Sequence, residues 1–525
     1  MITLEPVVRG TNGKNGHCSK TSKTLPIEEL GLRLDALKAA GQRVVHCHGV
    51  FDLLHPGHIR HLQEAKRMGD LLVVTLTPDR YVNKGPHRPA FTETLRAEVL
   101  AALDMVDFVA INRWPTAVEA IHLLRPDIYV KGKDYQEATQ DVTGGILLEA
   151  EAVASVGGRV QFTDDITFSS SNLINRYLPA FSPEVNEYLQ QLRERYSADD
   201  IKGYLEELAS LKVVVLGEAI LDEYVYCEPL NKSGKETILA MRHLSREMYA
   251  GGSLAVANHL ADFCSSVELV SYVGNSNAHE DFMRANLRPN VKPFFFGKAN
   301  SPTVLKRRYV DGYSLTKLFE VYEINDEPLA ENEGSQLCAA LEDRLADCDL
   351  AIVCDFGHGL ITTPAIQLLQ ERAPFLAVNT QINAANLGFH TISKYSRADY
   401  VCIHEGELRL DYRNRKEDIR SLVANLSSQL ECPTVMVTLG KRGSAVYRPD
   451  EDYVEGPALA LRVVDRVGAG DAVFAITSLC ASKGMPLDLI GFLGNVVGAQ
   501  AVNIVGNSSS IDRPAVFKTI DSLLK

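Results

Sequence analysis

Two stretches of this sequence alternate short apolar runs with amphipathic helical patterns. In the first, such runs are RVVHCHGV (43–50), DLLVVTLT (70–77), DFVAI (107–111) and DIYVKG (127–132). In the second, they include KVVVLGEAILDEYVY, DLAIVCDFG, FLAVNT, DYVCIH and TVMVTLG. Alternating strands and helices build βαβ units on a parallel sheet. The pattern therefore predicts two α/β folds, and without an internal repeat the two are different units.

The length of the chain and one change of character predict the domain boundaries. At roughly 100–200 residues per domain, 525 residues make more than one domain. A polar, helix-favouring stretch that is nearly free of glycine begins near Ser182. We predict a flexible tail over 1–23, an α/β domain over 24–180, a helical linker over 181–204 and a second α/β domain over 205–525.

Charge and cysteine content exclude several classes of function. The net charge of −13 argues against binding to nucleic acid or to an anionic membrane, which needs clustered Lys and Arg. It leaves room for a small anionic substrate in a local basic pocket. Neither an 18-residue apolar run nor a secretory signal is evident, and the ten cysteines form no CxxC pair. We expect a cytoplasmic protein with reduced thiols.

The stretch HCHGVFDLLHPGH, which begins at His46, concentrates histidines at an apparent helix start. An apolar run ends at Val50, and proline at position 56 favours the first turn of a helix. His55 and His58 are three residues apart, so both project from one side of that start. Unpaired N–H groups give a helix start a partial positive charge, and imidazoles donate to phosphate oxygens. This arrangement is typical of an anion-binding pocket.

Other interpretations of these histidines remain open: a metal cluster, core packing or chance. We expect His46 and His48 to lie on opposite faces of a strand, which disfavours a single four-histidine metal site. His61, three residues beyond His58, is compatible with an ordinary surface residue.

The string GVFDLLHPGH resembles the signature of the cytidylyltransferase-like nucleotidyltransferases, whose HxGH sequence binds a nucleoside triphosphate. The segments NKGPHRPAFTETLRAEVLAALDMVDFV, LLRPDIYVKGKDY and ITFSSSNLINRY resemble the heptose-phosphate adenylyltransferase branch of that family. The resemblance implies that His55, His58 and Lys84 are catalytic, with Lys84 neutralising phosphate charge. It implies nucleotide binding by Phe51 and by Ser169, Ser170 and Ser171, at a second helix that starts with Asn172 and Leu173.

Three residues near this motif keep two interpretations. Arg88 and Lys131 either contact phosphate or are surface charges, and Asp52 is expected to be structural or to form a turn. The reaction that the resemblance implies joins a nucleoside triphosphate, ATP or CTP, to a sugar or polyol phosphate and releases pyrophosphate. Positioning, Mg²⁺ and fixed positive charge supply most of such catalysis.

A second motif, VVDRVGAGDAVFA, places small residues next to an acid. Gly468 and Gly470 flank Ala469, and small residues let backbone N–H groups approach a phosphate closely. Asp471 follows at an apparent helix start, where its carboxylate could accept a proton from an attacking hydroxyl. An aspartate is also a good helix cap, so the motif alone leaves both roles open.

Three further segments, GEAILDEYVY, YAGGSLAVANHLA and VTLGKRGSAVY, occur before this motif. In this order they resemble the ribokinase/PfkB family of carbohydrate kinases, most closely its heptose-7-phosphate kinase branch. The resemblance implies that Asp471 is the base and that Gly468, Ala469 and Gly470 bind the transferred phosphoryl group. It also implies ATP and Mg²⁺, nucleotide binding by Thr438, Gly440, Gly443 and Asn495, and substrate binding by Asp222, Gly251, Gly252 and Asn258.

Two departures from that family concern magnesium and the substrate, and one basic run keeps two interpretations. The NxxE element falls on HEGE, with His404 in place of Asn, which leaves Glu407 as an indirect magnesium ligand. VNTQ (378–381) stands where the heptose branch has Asp-Pro-Lys. The basic run Lys306, Arg307 and Arg308 could bind a sugar phosphate or be surface charge, and we favour surface charge.

Together, the two halves resemble bifunctional heptose-7-phosphate kinase/heptose-1-phosphate adenylyltransferases with the order of the domains reversed. The resemblance predicts a Rossmann-like nucleotidyltransferase domain followed by a ribokinase-like α/β domain. We expect a homodimer that takes a sugar phosphate and nucleoside triphosphates and makes a nucleotide-activated sugar. The alternative is a glycerol-phosphate-type cytidylyltransferase fused to a PfkB-like module for ligand binding or oligomerisation.

Overall fold

A computed structural model describes residues 23–82, 89–132, 145–163, 181–233, 236, 238–384 and 386–524. The chain forms two compact units. Described residues up to 163 belong to the first unit, and those from 181 onward belong to the second. Most of the predicted tail, 1–23, lies outside the described residues.

The first unit is a parallel sheet, as predicted, and helices cover both of its faces. Its five strands lie in the order β3-β2-β1-β4-β5. Alternate residues of β1 enter two cores: Val45 packs with Leu62 of α2, and Val44 packs with Leu34 of α1. The strands are β1 Val44–Gly49, β2 Leu71–Leu76, β3 Phe108–Ile111, β4 Ile128–Gly132 and β5 Arg159–Thr163. The helices are α1 Ile27–Ala39, α2 Pro56–Lys66, α3 Glu93–Ala101, α4 Val118–Leu124 and α5 Gly145–Ser155.

His46 and His48 share one face of β1, so the expectation of opposite faces is wrong. Both rings contact the hydroxyl of Thr75 on β2, at 2.7 Å from His46 Nε2 and 2.8 Å from His48 Nδ1. The physical reason is the two-residue period of a strand, which returns residue i+2 to the side of residue i. A metal site does not follow, because the described residues contain no cluster of three metal-ligating side chains.

The second unit is built on a nine-stranded sheet, in the order β10-β9-β6-β13-β14-β15-β16-β17-β18. Its first seven strands are parallel, and β17 and β18 are antiparallel additions at one edge. These strands are β6 Lys212–Gly217, β9 Ser266–Ser276, β10 Val291–Pro302, β13 Leu350–Asp355, β14 Leu376–Thr380, β15 Tyr400–His404, β16 Thr434–Thr438, β17 Ser444–Arg448 and β18 Asp452–Gly456. The α/β class predicted for this half is confirmed.

Helices of the second unit connect most of the strands and close the chain. Those after β6 are α8 Ser253–Ala261, α9 Glu280–Ala285, α10 Glu331–Leu345, α11 Thr363–Arg372, α12 Glu405–Asp411, α13 Ile419–Gln429, α14 Ala469–Ser482, α15 Leu487–Ala501 and α16 Arg513–Leu524. Helix α14 is buried along nearly its whole length, and it packs against α15 and the central strands. It therefore has a fixed position relative to the carboxyl ends of β13 and β15.

A four-stranded sheet, here called the small sheet, is the main feature that the sequence did not predict. Its strands are β7 Ala219–Lys232, β8 Leu239–Gly252, β11 Val304–Asp311 and β12 Lys317–Glu323, in the order β12-β11-β7-β8. β8 is fully buried only at its last three residues and exposed at half of its positions, so it lacks the apolar signal of a buried strand. Pairing with β7 and not burial holds it in place.

The polar connector folds as two helices, α6 Pro183–Arg195 and α7 Ala198–Glu206, which belong to the second unit. The apolar residues of both helices join the core of the large sheet. Tyr196 donates to Asp488 at 3.1 Å, and Arg193 donates to the carbonyl of Leu523 at 2.7 Å. No described helix in either unit is long and apolar enough to cross a membrane.

Candidate functional sites

The first site lies where β1 turns into α2. His55 is the N-cap of α2, and its Nδ1 accepts the backbone N–H of Gly57 at 3.1 Å. The ring centroids of His55 and His58 are 4.0 Å apart, and the ring of Phe51 lies 5.4 Å from that of His58. Phe51 adopts a left-handed backbone (φ +47°), which makes the sharp turn between strand and helix. The structure thus brings these three predicted residues together.

Protonation of His55 follows from its surroundings. Burial lowers its pKa from the usual 6.5, so the neutral ring is favoured at pH 7. Because Nδ1 accepts a hydrogen bond, the proton of the neutral ring lies on Nε2. An open depression beside α2, lined by Leu54, His55, Pro56, Ile59, Arg60 and Gln63, gives ligands access to this end of the helix.

Only some of the other residues predicted for the first site are among the described residues. Lys84, Arg88, Ser169, Ser170, Ser171, Asn172 and Leu173 lie outside the described residues. Lys131 forms an ion pair with Glu149 at 2.8 Å, and both side chains are largely buried. Asp52 accepts the backbone N–H of Ala90, which is the structural role expected of it. His61 contacts the hydroxyl of Thr163 at the end of β5, at 2.8 Å.

The second site is centred on Asp471 in the first turn of α14. Gly468 is the N-cap of that helix and has a left-handed backbone (φ +78°). A Cβ at Gly468 would lie 2.0 Å from Oδ1 of Asn507, so only glycine fits there. A Cβ at Gly470 would meet no atom within 4 Å, which leaves open space beside the glycine loop (Gly468–Gly470). The backbone N–H groups at this helix start have room for a phosphate.

The carboxyl group of Asp471 has the properties of a general base. It is 9% exposed, and its pKa is raised to about 7, first by burial and then by the charge of Asp222. The nearby ammonium of Lys306 opposes this rise. A base with a pKa near 7 both takes up and releases a proton under physiological conditions.

Asp222 is held in the small sheet by a buried ion pair. Its carboxylate accepts from Arg308, and the two side chains are 5% and 8% exposed. A Cβ at Gly251 would lie 2.0 Å from Oδ2 of Asp222, so glycine lets β8 approach this carboxylate. Gly252, with φ +58°, ends β8 directly before α8. Gly251 thus lies beside Asp222, whereas a Cβ at Gly252 would meet the carbonyl oxygen of Glu218 at 2.6 Å.

The interpretation of the LKRRY cations as surface charge is wrong for two of the three. Lys306 and Arg308 are 6% and 7% exposed, on the face of the small sheet that carries Asp222. Arg307 points to the other face, where it pairs with Glu223 and lies 3.2 Å from Glu323. Sequence alone could not separate them, because the partner strand decides which face of β11 is covered.

Asn258 is not brought to this pocket. Its Nδ2 donates to the carbonyl of Asn286 at 2.8 Å, and its Oδ1 accepts the N–H of Arg288 at 3.0 Å. The amide therefore ties α8 to the loop before β10. We leave Asn258 out of the proposed substrate pocket.

The residues predicted for the nucleotide side gather at the edge of the large sheet. Thr438 ends β16 opposite Ser444, and Gly443 has φ +99°. A Cβ at Gly443 would lie 2.0 Å from the carbonyl oxygen of Gly456, and one at Gly456 would lie 2.9 Å from Nδ2 of Asn495. Gly440 has φ +61° and open space around it. The two strand ends and the buried Asn495 thus form one cluster.

Glu407 lies in the first turn of α12. Its carboxylate accepts the N–H of His404 at 2.7 Å and that of Ile382 at 3.1 Å, and burial raises its pKa to about 7. Each oxygen keeps a lone pair for a water molecule, which fits indirect contact with Mg²⁺, an ion that keeps several of its waters. When bound, Mg²⁺ would neutralise charge on the nucleotide phosphates. His404 instead caps α12, its Nδ1 accepting from Gly406 at 3.0 Å.

Two buried acids near these residues escaped the sequence analysis. Glu218, fully buried after β6, accepts the N–H groups of Phe356 at 3.1 Å and His358 at 3.0 Å. Asp465 precedes the glycine loop and accepts from Tyr224 on β7 at 2.6 Å and from Lys317 on β12 at 2.5 Å. Glu218 could have been suspected from its place just after a strand, whereas the partners of Asp465 are distant in sequence.

Comparison with known proteins agrees with the division into two different units. The profile of Cytidylyltransferase-like proteins matches residues 46–176. Over the N-terminal region the chain is 41% identical along 169 residues to the bifunctional protein HldE of Pelobacter propionicus, covering 32% of this chain and 33% of that protein. The HldE of Syntrophotalea carbinolica is 44% identical along 151 residues, covering 28% and 29%. The chain thus spans about a third of the length of the curated relatives it matches.

Comparisons of the structure and of the family profile cover the second unit. Escherichia coli phosphofructokinase-2, in its tetrameric inhibited form, matches 60% of this chain and 100% of its own at 16% identity, with a TM-score of 0.48. The profile of the pfkB family carbohydrate kinases matches residues 210–514, which include the small sheet, Asp222 and Asp471. Since this match covers more than half of the sequence, the chain belongs to the pfkB family of carbohydrate kinases.

Proposed function

We propose that this protein is a bifunctional sugar-phosphate kinase and sugar-1-phosphate nucleotidyltransferase. The observation that carries the proposal is a buried acid, Asp471, that follows an open glycine loop and interacts with Asp222. The same chain has His55 and His58 side by side at the start of another helix. The same observation disfavours a PfkB-like module used only for ligand binding or oligomerisation, because such a module needs no base with a pKa near 7.

In the kinase step, Asp222 binds hydroxyls of the acceptor and Asp471 takes the proton of the attacking hydroxyl. A bond forms between that oxygen and the γ-phosphorus of ATP, the bond to the β–γ bridging oxygen breaks, and ADP leaves. N–H groups of the glycine loop stabilise the charge on the transferred phosphoryl group. The anomeric hydroxyl is the proposed acceptor, since the second activity requires a sugar-1-phosphate. ATP binds at Thr438, Gly440, Gly443 and Asn495.

In the nucleotidyl transfer step, a phosphate oxygen of the acceptor attacks the α-phosphorus of ATP or CTP, and pyrophosphate leaves. His55 donates from Nε2, and His58 lies beside it, so both face the charge that develops at the α-phosphate. Lys84 and Ser169–Ser171 are proposed to complete the site by analogy with the adenylyltransferase branch. If the kinase acts on a sugar already phosphorylated elsewhere, a separate phosphatase must act between the two steps.

The class of sugar proposed is a heptose. Support comes from the HldE relatives, which match the first unit. The product is then a nucleotide-activated heptose.

The purified full chain, incubated with ATP or CTP and a panel of heptose and hexose phosphates, tests the proposal. By mass spectrometry we expect ADP from a sugar phosphate with a free anomeric hydroxyl, and pyrophosphate with a nucleotide-linked sugar from a sugar 1-phosphate. Pyrophosphate release with glycerol phosphate and CTP, with no ADP from any sugar, would instead favour a cytidylyltransferase with an inactive second domain.

We also propose a cytoplasmic homodimer. The nine described cysteines are free, which suits a reducing compartment. Phe319 and Val321 on β12 are 53% and 42% exposed, and the ring of Tyr309 stacks on Phe319 at 4.5 Å. Exposed apolar residues on a sheet face are typical of an interface. Light scattering with size-exclusion chromatography should give twice the chain mass, and Phe319→Asp should give the monomer mass.

A further inference from the structure

Lys306 lies in the middle of a row of side chains that crosses the small sheet. Its register partners are Asp222 on β7 and Tyr322 on β12, and Asp222 in turn faces Tyr249 on β8. Residues opposite each other in paired strands share a face of the sheet. The ammonium of Lys306 therefore lies on the same side as the carboxylate of Asp222.

This buried cation has no fixed counter-ion. Lys306 is 6% exposed, yet among the described residues its ammonium makes no hydrogen bond and has no carboxylate within 4.0 Å. The ammonium lies over the ring of Tyr322, 5.5 Å from the centroid of that ring. Asp222 is instead paired with Arg308, which also reaches Glu320 at 2.9 Å.

Lys298 shows what a structural buried lysine looks like in this fold. It is 2% exposed, and its ammonium donates to three backbone carbonyls, those of Asn325 at 2.7 Å, Glu327 at 2.7 Å and His358 at 3.2 Å. Burying a charge without such partners is costly. Burial of the Lys306 ammonium thus has a free-energy cost that hydrogen bonds offset for Lys298. A bound anion would offset that cost for Lys306.

The charged groups around Lys306 indicate which anion would bind to its ammonium. Three carboxylates act on its charge, those of Asp222, Asp471 and Glu218, and one cation, Arg308. Asp222, the register partner of Lys306, is the proposed hydroxyl-binding residue, and Asp471, which interacts with the same ammonium, is the proposed base, so this cation lies on the side of the acceptor that reacts. A phosphate carried elsewhere on the sugar would lie farther from the base.

We propose that Lys306 is a further catalytic residue of the kinase, whose ammonium contacts the phosphoryl group as it passes from ATP to the acceptor. The inference rests on the proposed kinase function. Lys306 keeps its protons throughout, while Asp471 takes the proton of the hydroxyl and ADP is the leaving group. Negative charge spread over the three equatorial oxygens in the transition state is what this cation stabilises.

Steady-state kinetics of Lys306→Met test the proposal. The methionine keeps the length of the side chain and removes the charge. We expect kcat to fall roughly 100- to 1,000-fold with both KM values within threefold, because the contact is strongest in the transition state. The exposed Lys292→Met on β10 is the matched control and should keep the wild-type kcat. A Lys306→Met kcat within threefold of wild type, or a change confined to KM, would overturn the assignment.

Binding of a transition-state mimic separates this inference from the proposed function. ADP with aluminium fluoride and Mg²⁺ should raise the Tm of the wild-type chain beyond ADP with Mg²⁺ alone, and Lys306→Met should lose that added rise. If no sugar phosphate yields ADP, the proposed function fails, yet the Tm comparison still decides the role of Lys306. An added rise equal in wild type and Lys306→Met would overturn the inference.

Lys306→Arg covers the case in which the methionine variant does not fold. It keeps the charge but places it on a longer planar group, so we expect at least a tenfold lower kcat at unchanged KM. A kcat equal to wild type in this folded variant would contradict contact with the phosphoryl group.

Discussion

The ammonium of Lys317 lies 2.5 Å from a carboxylate oxygen of Asp465, across 148 residues of sequence. The same oxygen of Asp465 accepts the N–H of Val467 at 3.1 Å, and its other oxygen accepts the N–H of Gly506 at 3.1 Å. One buried carboxylate thus joins the small sheet to the segment that leads into the glycine loop. The position of that loop depends on the position of β12.

Removal of this ion pair should therefore lower the kinase activity and leave the activity of the first unit unchanged. We predict that Lys317→Met lowers kinase kcat/KM roughly tenfold or more, because small displacements of positioning groups are costly. Stability should fall by about 1–2 kcal/mol, since Lys317 is one-third exposed and Asp465 keeps three other donors. Urea unfolding and ADP release measure the two effects, and undiminished kinetics in Lys317→Met would show that the loop is held by other contacts.

Single substitutions at the two sites should separate the two activities. We predict that Asp471→Asn lowers kinase turnover by roughly 10²–10⁴-fold, the range for a positioned general base, and leaves pyrophosphate release intact. His55→Ala and His58→Ala should do the reverse. Coupled assays for ADP and for pyrophosphate on each variant decide the matter, and equal loss of both activities in every variant would reject two independent sites.

The pH dependence of the kinase should report Asp471. Since its pKa is raised to about 7 and the base must be deprotonated, kcat/KM should rise with pH and level off above about 7. Lys306 lowers the pKa of Asp471, so Lys306→Met should move this acidic limb to higher pH. Initial rates between pH 5.5 and about 9 test both statements. A limb that stays in place in Lys306→Met would mean that the two groups do not interact.

Glycines at the start of α14 should differ in their tolerance of a methyl group. At Gly468, alanine meets both a left-handed backbone and the side-chain amide of Asn507, so we expect a loss of about 1–3 kcal/mol of stability. At Gly470 the Cβ enters open space, so Gly470→Ala should fold normally but bind ATP more weakly. Thermal unfolding and ATP titration compare the pair. Similar stability of the two variants would be inconsistent with the geometry of the glycine loop.

The first unit should lose stability in acid because of its buried histidines. Burial lowers the pKa of His46 to about 3, whereas in the unfolded chain it is near 6.5, so the unfolded state binds more protons between these values. The stability that this depressed pKa gives is fully present above about pH 6.5 and is lost as pH falls toward 3. The slope is about 1.4 kcal/mol per pH unit for His46, and the pKa of His48 is lowered too. Denaturant unfolding at pH 5 and 7, with His46→Gln as comparison, measures it.

The sequence predicted the fold class because the patterns that indicate this class are local. The alternation of apolar runs with helical patterns depends only on neighbouring residues, and so do the helix starts at His55 and Asp471. The small sheet was missed for the opposite reason. β8 exposes half of its residues and β12 most of its residues, so burial left no clear pattern in either strand. Pairing between distant segments defines these strands.

The sequence by itself determined two α/β units, a histidine pair at one helix start and an acid after a glycine loop at another. Only the tertiary structure decided that Arg308 binds Asp222, that Lys306 is buried near Asp471, and that Asn258 is tied to another loop. The reason is that the face on which a strand residue lies, and the charge it meets there, depend on a register set by partners 84 to 86 residues away. Local sequence carries no record of that register.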